Sequence, residues 1–182
     1  TMKKILFAAS EAVPFIKTGG LADVVGSLPK YFDKEKYDVR VMVPKYLCIR
    51  PELREQMKFV DKFYVKMNWR TQYVGIDEME YDGVKYYFLD NEYYFKKNNY
   101  YGYFDDGERF AFFSKAAIDV MAHLNIIPDI IHAHDWQTGL VPVYLRTLYY
   151  GDERFKNVRT VFTIHNIEYQ GIYSYDQEIL ED

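Results

Sequence analysis

The fold is decided near the start of the chain, where residues 4–43 read KILFAASEAVPFIKTGGLADVVGSLPKYFDKEKYDVRVMV. The apolar run at 4–9 is typical of a strand that is buried on both faces, as in a parallel sheet. After the glycine pair at 19–20, apolar residues recur at helical spacing from Leu21 to Phe32, and the run from Tyr37 to Val43 predicts a second strand. Strand, glycine turn, helix and strand make one βαβ unit, whose crossover we expect to be right-handed.

The rest of the chain adds an antiparallel insertion and then further strands and helices. Period-two stretches around Asp82-Gly83 predict an antiparallel hairpin between Met57 and Leu89. An aromatic loop, helix, strand, helix and strand follow, with predicted bounds of 93–106, 107–124, 129–134, 138–150 and 159–164. This alternation predicts an α/β fold, a Rossmann-like open, mostly parallel sheet with helices on both faces and a small antiparallel hairpin insertion. In such sheets ligands bind beyond the carboxyl ends of the strands, so the residues after each strand are the site candidates.

Residues 2–182 are expected to form a single domain, because the sequence contains no internal repeat, low-complexity tract or flexible linker. Thr1 precedes Met2, the better candidate for a native start, and is interpreted as the remnant of a tag. The chain stops within the predicted start of a helix near residues 177–180, so its end is interpreted as a truncation.

Composition excludes several functional classes. The 49% apolar and 27% charged residues are typical of a globular protein, and no apolar run approaches the roughly 20 residues that a membrane span needs. A net charge of -4 argues against binding through nucleic-acid phosphates. Cys48 is the only cysteine, which excludes an intrachain disulfide and favours the cytoplasm.

The first candidate site follows the first strand, from Ser10 to Asp23. Two glycines before a helix let free backbone N–H groups approach an anion, the helix dipole favours negative charge there, and Lys17 adds a positive charge. This combination favours a diphosphate or a sugar, and a plain turn with a surface lysine is the alternative. The G-x-G-x-x-G spacing of dinucleotide folds and the Gly-Lys-Ser/Thr ending of a P-loop are both missing, which argues against those cofactors.

A histidine pair marks the end of a later strand. His132 and His134 point to the same side of a strand and Asp135 follows them, so the three could bind one metal ion. A metal site needs further ligands, and only His123 and His165 remain among the 4 histidines. The other interpretation makes one of the pair, His132 by preference, a buried and hydrogen-bonded core residue.

The last candidate segment, residues 165–171, reads HNIEYQG and offers a donor and acceptor pair followed by a tight turn. Together and in this order, KTGGLADVV at 17–25, HDWQ at 134–137 and HNIEYQG resemble the bacterial glycogen synthase and plant starch synthase family. The resemblance runs from Met2 to the end of the chain but covers less than half of a family member. The missing part would be the second, nucleotide-binding Rossmann domain of a GT-B type enzyme.

The resemblance implies a retaining enzyme that transfers glucose from ADP-glucose to the non-reducing end of an α-1,4-glucan such as glycogen, with no metal or other cofactor. Its partner would be its own C-terminal domain, without which the chain would be inactive; no nucleic acid or membrane would be bound. By the family pattern, Asp135 and the His165-Asn166 pair would face the glucosyl group. From the positions of the first two after adjacent strands, we expect His165 to stabilise the transferring sugar and Asp135 to orient sugar or acceptor hydroxyl groups. The substrate-binding residues would be Lys17, Gly19, Gly20, Asn166, Glu11, Asp23, Trp136 and Tyr169.

Two other functions fit parts of the sequence. One is a metal-dependent hydrolase that uses His132, His134 and Asp135, and the other is a carbohydrate-binding module without catalysis. Bound metal would favour the hydrolase, and tight oligosaccharide binding by a chain with a native end near Asp182 would favour the module. Dependence of a longer parent protein on ADP-glucose would favour the transferase.

Overall fold

The computed structural model describes residues 1–67, 70–97, 100–103 and 105–165. Within these residues seven strands form one sheet. They are β1 Lys3–Ala8, β2 Tyr37–Pro44, β3 Lys58–Met67, β4 Arg70–Tyr81, β5 Val84–Asp90, β6 Ile130–His134 and β7 Arg159–Thr163. Their order across the sheet is β3-β4-β5-β2-β1-β6-β7.

The sheet is mostly parallel, as the sequence predicts. β1 pairs in parallel with β2 and with β6, β2 pairs in parallel with β5, and β6 with β7. Only β4 among the described strands runs against its neighbours, β3 and β5. The chain leaves β1 for β2 on one side and later returns to β6 on the other, so the strand order reverses between β1 and β6. Ligand sites of open α/β sheets lie at such a reversal.

The predicted hairpin forms, and together with β3 it extends the main sheet. β4 and β5 are joined at Asp82 and Gly83, whose φ angles of 50° and 75° lie in the left-handed region that a tight hairpin turn requires. β5 then pairs with β2 along Arg40–Pro44. Sequence alternation identifies an antiparallel pair but carries no information about which distant strand will accept its edge.

Five α-helices occur in the described residues: α1 Gly20–Ser27, α2 Pro51–Arg54, α3 Glu92–Phe95, α4 Asp106–His123 and α5 Leu140–Arg146. α1 is shorter than predicted because Pro29 cannot donate a backbone hydrogen bond, and Leu28–Tyr31 continue as a 3-10 turn. α5 is also shorter than predicted: it begins two residues later, after a 3-10 turn over Trp136–Thr138, and ends four residues earlier, at Arg146. None of the described helices has the length and apolar character that crossing a membrane requires.

The core lies between the sheet and the elements that cover it. α4 contributes the fully buried Phe112 and Phe113, and burial of each such ring stabilises the fold by about 2 kcal/mol. In the loop after β1, Phe15 packs at 4.9 Å against both Tyr86 and Phe88 of β5. The loop that carries the first candidate segment is therefore anchored to the core by its own phenylalanine.

Candidate active site

Three of the candidate segments meet at one edge of the sheet. Parallel register pairs Ala8 of β1 with Ala133 of β6, and His134 of β6 with Thr163 of β7. The residues that follow these strands, Glu11, Asp135 and His165, therefore lie at the carboxyl edge, on either side of the point where the strand order reverses.

Glu11 holds the glycine loop in place. Its carboxylate is 2% exposed and accepts hydrogen bonds from Thr18 Oγ1 at 2.5 Å, the Gly19 N–H at 3.2 Å and the Tyr101 hydroxyl at 2.8 Å. The Tyr101 hydroxyl also lies 2.7 Å from Ser10 Oγ. Glu11 is among the site residues predicted from sequence and Tyr101 is not; the only sequence signal for Tyr101 is its position in an aromatic loop.

Both glycines of the loop border open space. A Cβ added to Gly19 or Gly20 would meet no described atom within 4 Å, which leaves room for a ligand to approach the backbone. The Gly19 N–H, however, is already bonded to Glu11, so this donor of the expected anion site is occupied. Gly26 has a different role, because its Cβ would lie 2.4 Å from Val13 Cγ2; only glycine lets α1 approach that loop.

Lys17 and Asp23 pair with each other at the surface. Lys17 Nζ lies 3.0 Å from the Asp23 carboxylate, and the two side chains are 55% and 53% exposed. An exposed pair of this kind contributes only about 0–1 kcal/mol, so a ligand anion could displace Asp23 at little cost.

Three histidine rings stack beneath the other half of the site. The rings of His132 and His134 lie 4.1 Å apart, and those of His134 and His165 lie 5.1 Å apart and tilt by only 14°. Nδ1 of His134 is 2.8 Å from Nε2 of His165, and Nε2 of His132 is 2.6 Å from Thr163 Oγ1.

The preference for His132 as the buried core histidine is wrong. His134 is 0% exposed, whereas His132 is only partly buried. Strand alternation places both rings on one side of β6 but does not set their depth, and the His134 ring lies between His132, His165 and Phe7 of the neighbouring strand β1.

Burial keeps the central ring of the stack uncharged. Loss of hydration lowers the pKa of His134 to about 3, and repulsion from His132 and then His165 acts in the same direction. Burial, followed by repulsion from His165, also lowers the pKa of His132. His134 is therefore a neutral imidazole near neutral pH.

Asp135 fixes the backbone of His165. Its Oδ1 accepts the His165 N–H at 2.7 Å, and its own N–H donates to the Thr163 carbonyl at 2.9 Å. Asp135 has a φ of 58° and a ψ of -179°, a combination that is costly for any residue with a side chain. Thr138 supports the turn by accepting the His134 N–H at 2.8 Å and donating to the His134 carbonyl at 2.7 Å.

The remaining predicted residues divide into two groups. Trp136 packs edge-on against Phe110 of α4 at 5.3 Å and is partly buried. Asn166 and Tyr169 lie outside the described residues. The structure thus brings Asp135 to His165, Glu11 to Gly19 and Lys17 to Asp23. Among the described residues, no hydrogen bond joins Glu11 or Lys17 to the Asp135–His165 pair.

In the described part of the chain, His132, His134 and Asp135 do not form the metal site that the hydrolase hypothesis requires. That part of the chain contains no group of three or more His, Cys, Asp or Glu side chains that could hold a metal ion. Nδ1 of His134 and Nε2 of His132 instead contact His165 and Thr163.

Two surface clefts lie away from the carboxyl ends of the strands. One, of about 250 Å³, is bordered by Met2, Tyr37 and Lys85 at the amino ends of their strands. The other, of about 700 Å³, lies between α5 and the start of β7. Neither contains a candidate residue, so the chemistry of the strand ends identifies the site better than cavity volume does.

The family model of the starch synthase catalytic domain matches residues 4–181. This chain belongs to that family. It is 57% identical over 173 residues to the glycogen synthase of Lachnospira eligens, which covers 94% of this chain and 36% of that enzyme. It is 52% identical over 182 residues to the glycogen synthase of Lachnoclostridium phytofermentans, covering 100% of this chain and 38% of that enzyme.

A solved member of the family shares the fold. The catalytic domain of starch synthase IV from Arabidopsis thaliana, bound to ADP and acarbose, superposes with a TM-score of 0.79 at 29% identity, over 93% of this chain and 35% of that one. The chain therefore spans little more than a third of the length of these relatives, and the matched region includes both halves of the candidate site.

Proposed function

We propose that this chain is the N-terminal Rossmann-like domain of a two-domain, retaining GT-B glucosyltransferase, which moves glucose from ADP-glucose to the non-reducing end of an α-1,4-glucan. The observation that carries the proposal is the meeting of Asp135 and His165 at the reversal of strand order, beside the Glu11-supported glycine loop. Membership of the starch synthase family and the glycogen synthase relatives support the substrate class.

In the proposed reaction the bond between glucose C1 and the diphosphate oxygen breaks, and a bond forms from C1 to the acceptor hydroxyl oxygen. The acceptor loses a proton, so the products are the lengthened glucan, ADP and one proton. Negative charge grows on the leaving diphosphate, while the sugar gains oxocarbenium character. Fixed positive charges and N–H groups aimed at the diphosphate therefore stabilise the transition state.

Lys17 is the cation that the described residues offer for the diphosphate. A diphosphate carries more negative charge than the Asp23 carboxylate, so it would compete for the exposed Lys17 ammonium. Gly19 and Gly20 would let the diphosphate or sugar approach the start of α1 without meeting a side chain. In this arrangement Glu11 positions the glycine loop, and Lys17 binds the negatively charged diphosphate.

Asp135 and His165 would face the glucosyl group. A carboxylate accepts hydrogen bonds from sugar hydroxyls, and the Asp135 carboxylate keeps further acceptor capacity after bonding to the His165 N–H. His165 would stabilise the sugar as its bond to the diphosphate lengthens. Asn166 and Tyr169 remain proposed substrate contacts on the strength of the family motif, as do Asp23 and Trp136.

The proposed partner is the C-terminal domain of the same protein, because the chain covers only 36–38% of the length of its relatives. A nucleotide held by one domain would leave water around the diphosphate, where electrostatic stabilisation is weak. We also propose a cytoplasmic enzyme that uses no metal or other cofactor and binds neither nucleic acid nor membrane. The single cysteine and the net charge of -4 support the compartment and the absence of nucleic acid.

Transfer of labelled glucose from ADP-glucose to glycogen, measured in excess EDTA, tests the proposal. The assay compares the parent protein, meaning this chain followed by its C-terminal half, with residues 1–182 alone and with the parent carrying His165→Gln. Transfer by the parent, with little or none by the other two, is the expected result. No transfer by the parent, or transfer that only added metal restores, would overturn it.

A further inference from the structure

His134 is the central ring of the histidine stack and lies directly behind His165. It is 0% exposed, and its Nδ1 is 2.8 Å from Nε2 of His165. Its ring also packs at 5.2 Å against Phe7 of β1 and at 4.1 Å against His132. The position of His134 is thus set by packing on both sides, and its only ring hydrogen bond among the described residues goes to His165.

One proton lies between the two nitrogens when both rings are neutral. Either His134 Nδ1–H donates to His165 Nε2, or His165 Nε2–H donates to His134 Nδ1. The choice depends on Nε2 of His134, which is buried and has no hydrogen-bond partner among the described residues. In the first arrangement this nitrogen is an unpaired acceptor, and in the second it carries an unpaired N–H.

The first arrangement costs less free energy. A buried N–H without a partner is rarer in proteins than an unpaired acceptor. The Phe7 and His132 rings pack against His134, and neither accepts a hydrogen bond from Nε2. The charged and titratable groups that face the pair do not reverse this preference. The Asp135 carboxylate bonds to the His165 backbone, Thr138 bonds to the His134 backbone, and His132 bonds to Thr163.

We infer that His134 is a positioning residue for the glucosyl transfer: its Nδ1–H donates to Nε2 of His165, which leaves the proton of His165 on Nδ1. This inference rests on the proposed function. With Nε2 occupied, His165 meets a ligand only as a donor, through Nδ1–H. The ligand atom at that position must then be an acceptor, such as a sugar hydroxyl oxygen or a phosphate oxygen. A neutral imidazole that donates in this way can stabilise growing negative charge without adding a positive one.

The placement of the proton is tested first, by nitrogen NMR of the parent protein labelled with ¹⁵N-histidine at about pH 8, above the ordinary histidine pKa. The His165 signals are identified by their disappearance in His165→Gln. A protonated Nδ1 and an unprotonated Nε2 are expected for His165. The opposite pattern would overturn the inference.

Two substitutions test the positioning role. His134→Phe keeps a ring in the stack but removes the donor, and His134→Asn places an amide donor close to the position of Nδ1. In His134→Phe we expect the Nδ1–H signature of His165 to disappear and kcat to fall roughly 10- to 100-fold, the range seen when a partner that fixes a histidine tautomer is removed. His134→Asn should recover the signature and a large part of kcat.

His123→Phe is the matched control. His123 stacks on Phe63 at 4.4 Å and bonds to Asp61 at 2.8 Å, at the other edge of the sheet. Its substitution should leave kcat and the His165 signals unchanged. The inference fails if His134→Phe has a normal kcat and normal His165 signals. It also fails if His134→Asn is as impaired as His134→Phe.

The outcomes separate this inference from the proposed function. A wild-type parent without ADP-glucose transfer contradicts the function, but its spectrum still locates the proton. A wild-type parent that transfers glucose but carries the His165 proton on Nε2 contradicts the inference alone. Should His134→Phe fail to fold, the wild-type spectrum and His134→Asn decide.

Discussion

Two fully buried polar side chains of this protein, Arg109 and His134, are accommodated in different ways. Arg109 Nε donates to the Tyr94 carbonyl at 2.6 Å, and Nη1 donates to the Tyr100 carbonyl at 3.1 Å and to Asp106 Oδ1 at 2.7 Å. His134 has no carboxylate partner, and its ring bonds only to His165 among the described residues. Each side chain keeps one nitrogen without a described partner.

The difference follows from charge. A guanidinium stays protonated when buried, so it requires a counter-ion and carbonyl acceptors, and those bonds tie α3, the 100–103 segment and α4 together. An imidazole can lose its charge instead, which frees it from any counter-ion. The buried arginine therefore stabilises the scaffold beneath Tyr101 and Glu11. The buried histidine, being neutral, can share one proton with His165 through the hydrogen bond between their rings.

The largest expected effect is on the arginine side of this comparison. Arg109→Met should lower the free energy of unfolding by about 3–5 kcal/mol, because it removes the counter-ion of the buried Asp106 carboxylate and the donor to two carbonyls. Urea unfolding of the parent protein measures the change, with the exposed Arg146→Met in α5 as control, expected within about 0.5 kcal/mol of wild type. If Arg109→Met lowers the free energy of unfolding by less than about 1 kcal/mol, the buried Arg109–Asp106 pair is not needed for stability.

The histidine side predicts a pH dependence. The folded-state pKa of His134 is about 3, below the ordinary value of 6.5, so the unfolded chain binds more protons between these values. Its contribution to stability is complete above pH 6.5 and is lost as the pH falls towards 3, by up to about 1.4 kcal/mol per pH unit. Between these pH values, the free energy of unfolding should depend less on pH in His134→Phe than in wild type. Equal slopes of that free energy against pH would contradict the burial of a neutral histidine.

Asp135 sharpens the comparison because it combines backbone strain with a role at the site. Asp135→Ala keeps the φ of 58° and loses the bond to His165, whereas Asp135→Gly loses the bond but relieves the strain. We expect Gly to be more stable than Ala by about 1 kcal/mol in thermal unfolding, although both lose most of the glucosyl transfer. An Ala variant at least as stable as Gly would show that the turn is unstrained.

The smallest effect on stability is expected for the exposed pair. Lys17→Met and Asp23→Asn should each change the free energy of unfolding by less than about 0.5 kcal/mol, in contrast to the buried Arg109–Asp106 pair. Their effects on ADP-glucose should differ. Lys17→Met should lower kcat/KM roughly 10- to 100-fold by removing a charged donor, and Asp23→Asn should lower it less, because the amide can still bond to a sugar hydroxyl. Equal losses in both variants would mean that the pair acts as a unit.

Much of the fold could be predicted from local pattern. Apolar runs locate β1, β2, β6 and β7 to within one residue at either end, and Asp82-Gly83 identifies the turn between β4 and β5. The bounds of α1 and α5 were less well predicted: helical spacing continues through Pro29, where α1 gives way to a 3-10 turn, and α5 ends at Arg146 instead of Tyr150. Pairing of β5 with β2 joins residues more than forty positions apart, which local periodicity does not encode.

By itself, the sequence determined the class of sheet, the segments after its strands that carry polar groups, and the family motifs at 17–25, 134–137 and 165–171. Only the tertiary structure decided that Glu11 caps the glycine loop, that Tyr101 supports Glu11, and that His134 rather than His132 is buried. The physical reason is that strand periodicity sets which way a side chain points, whereas its depth and hydrogen bonds depend on neighbouring strands. His134 and His165 are 31 residues apart in sequence and meet only because β6 and β7 pair in register.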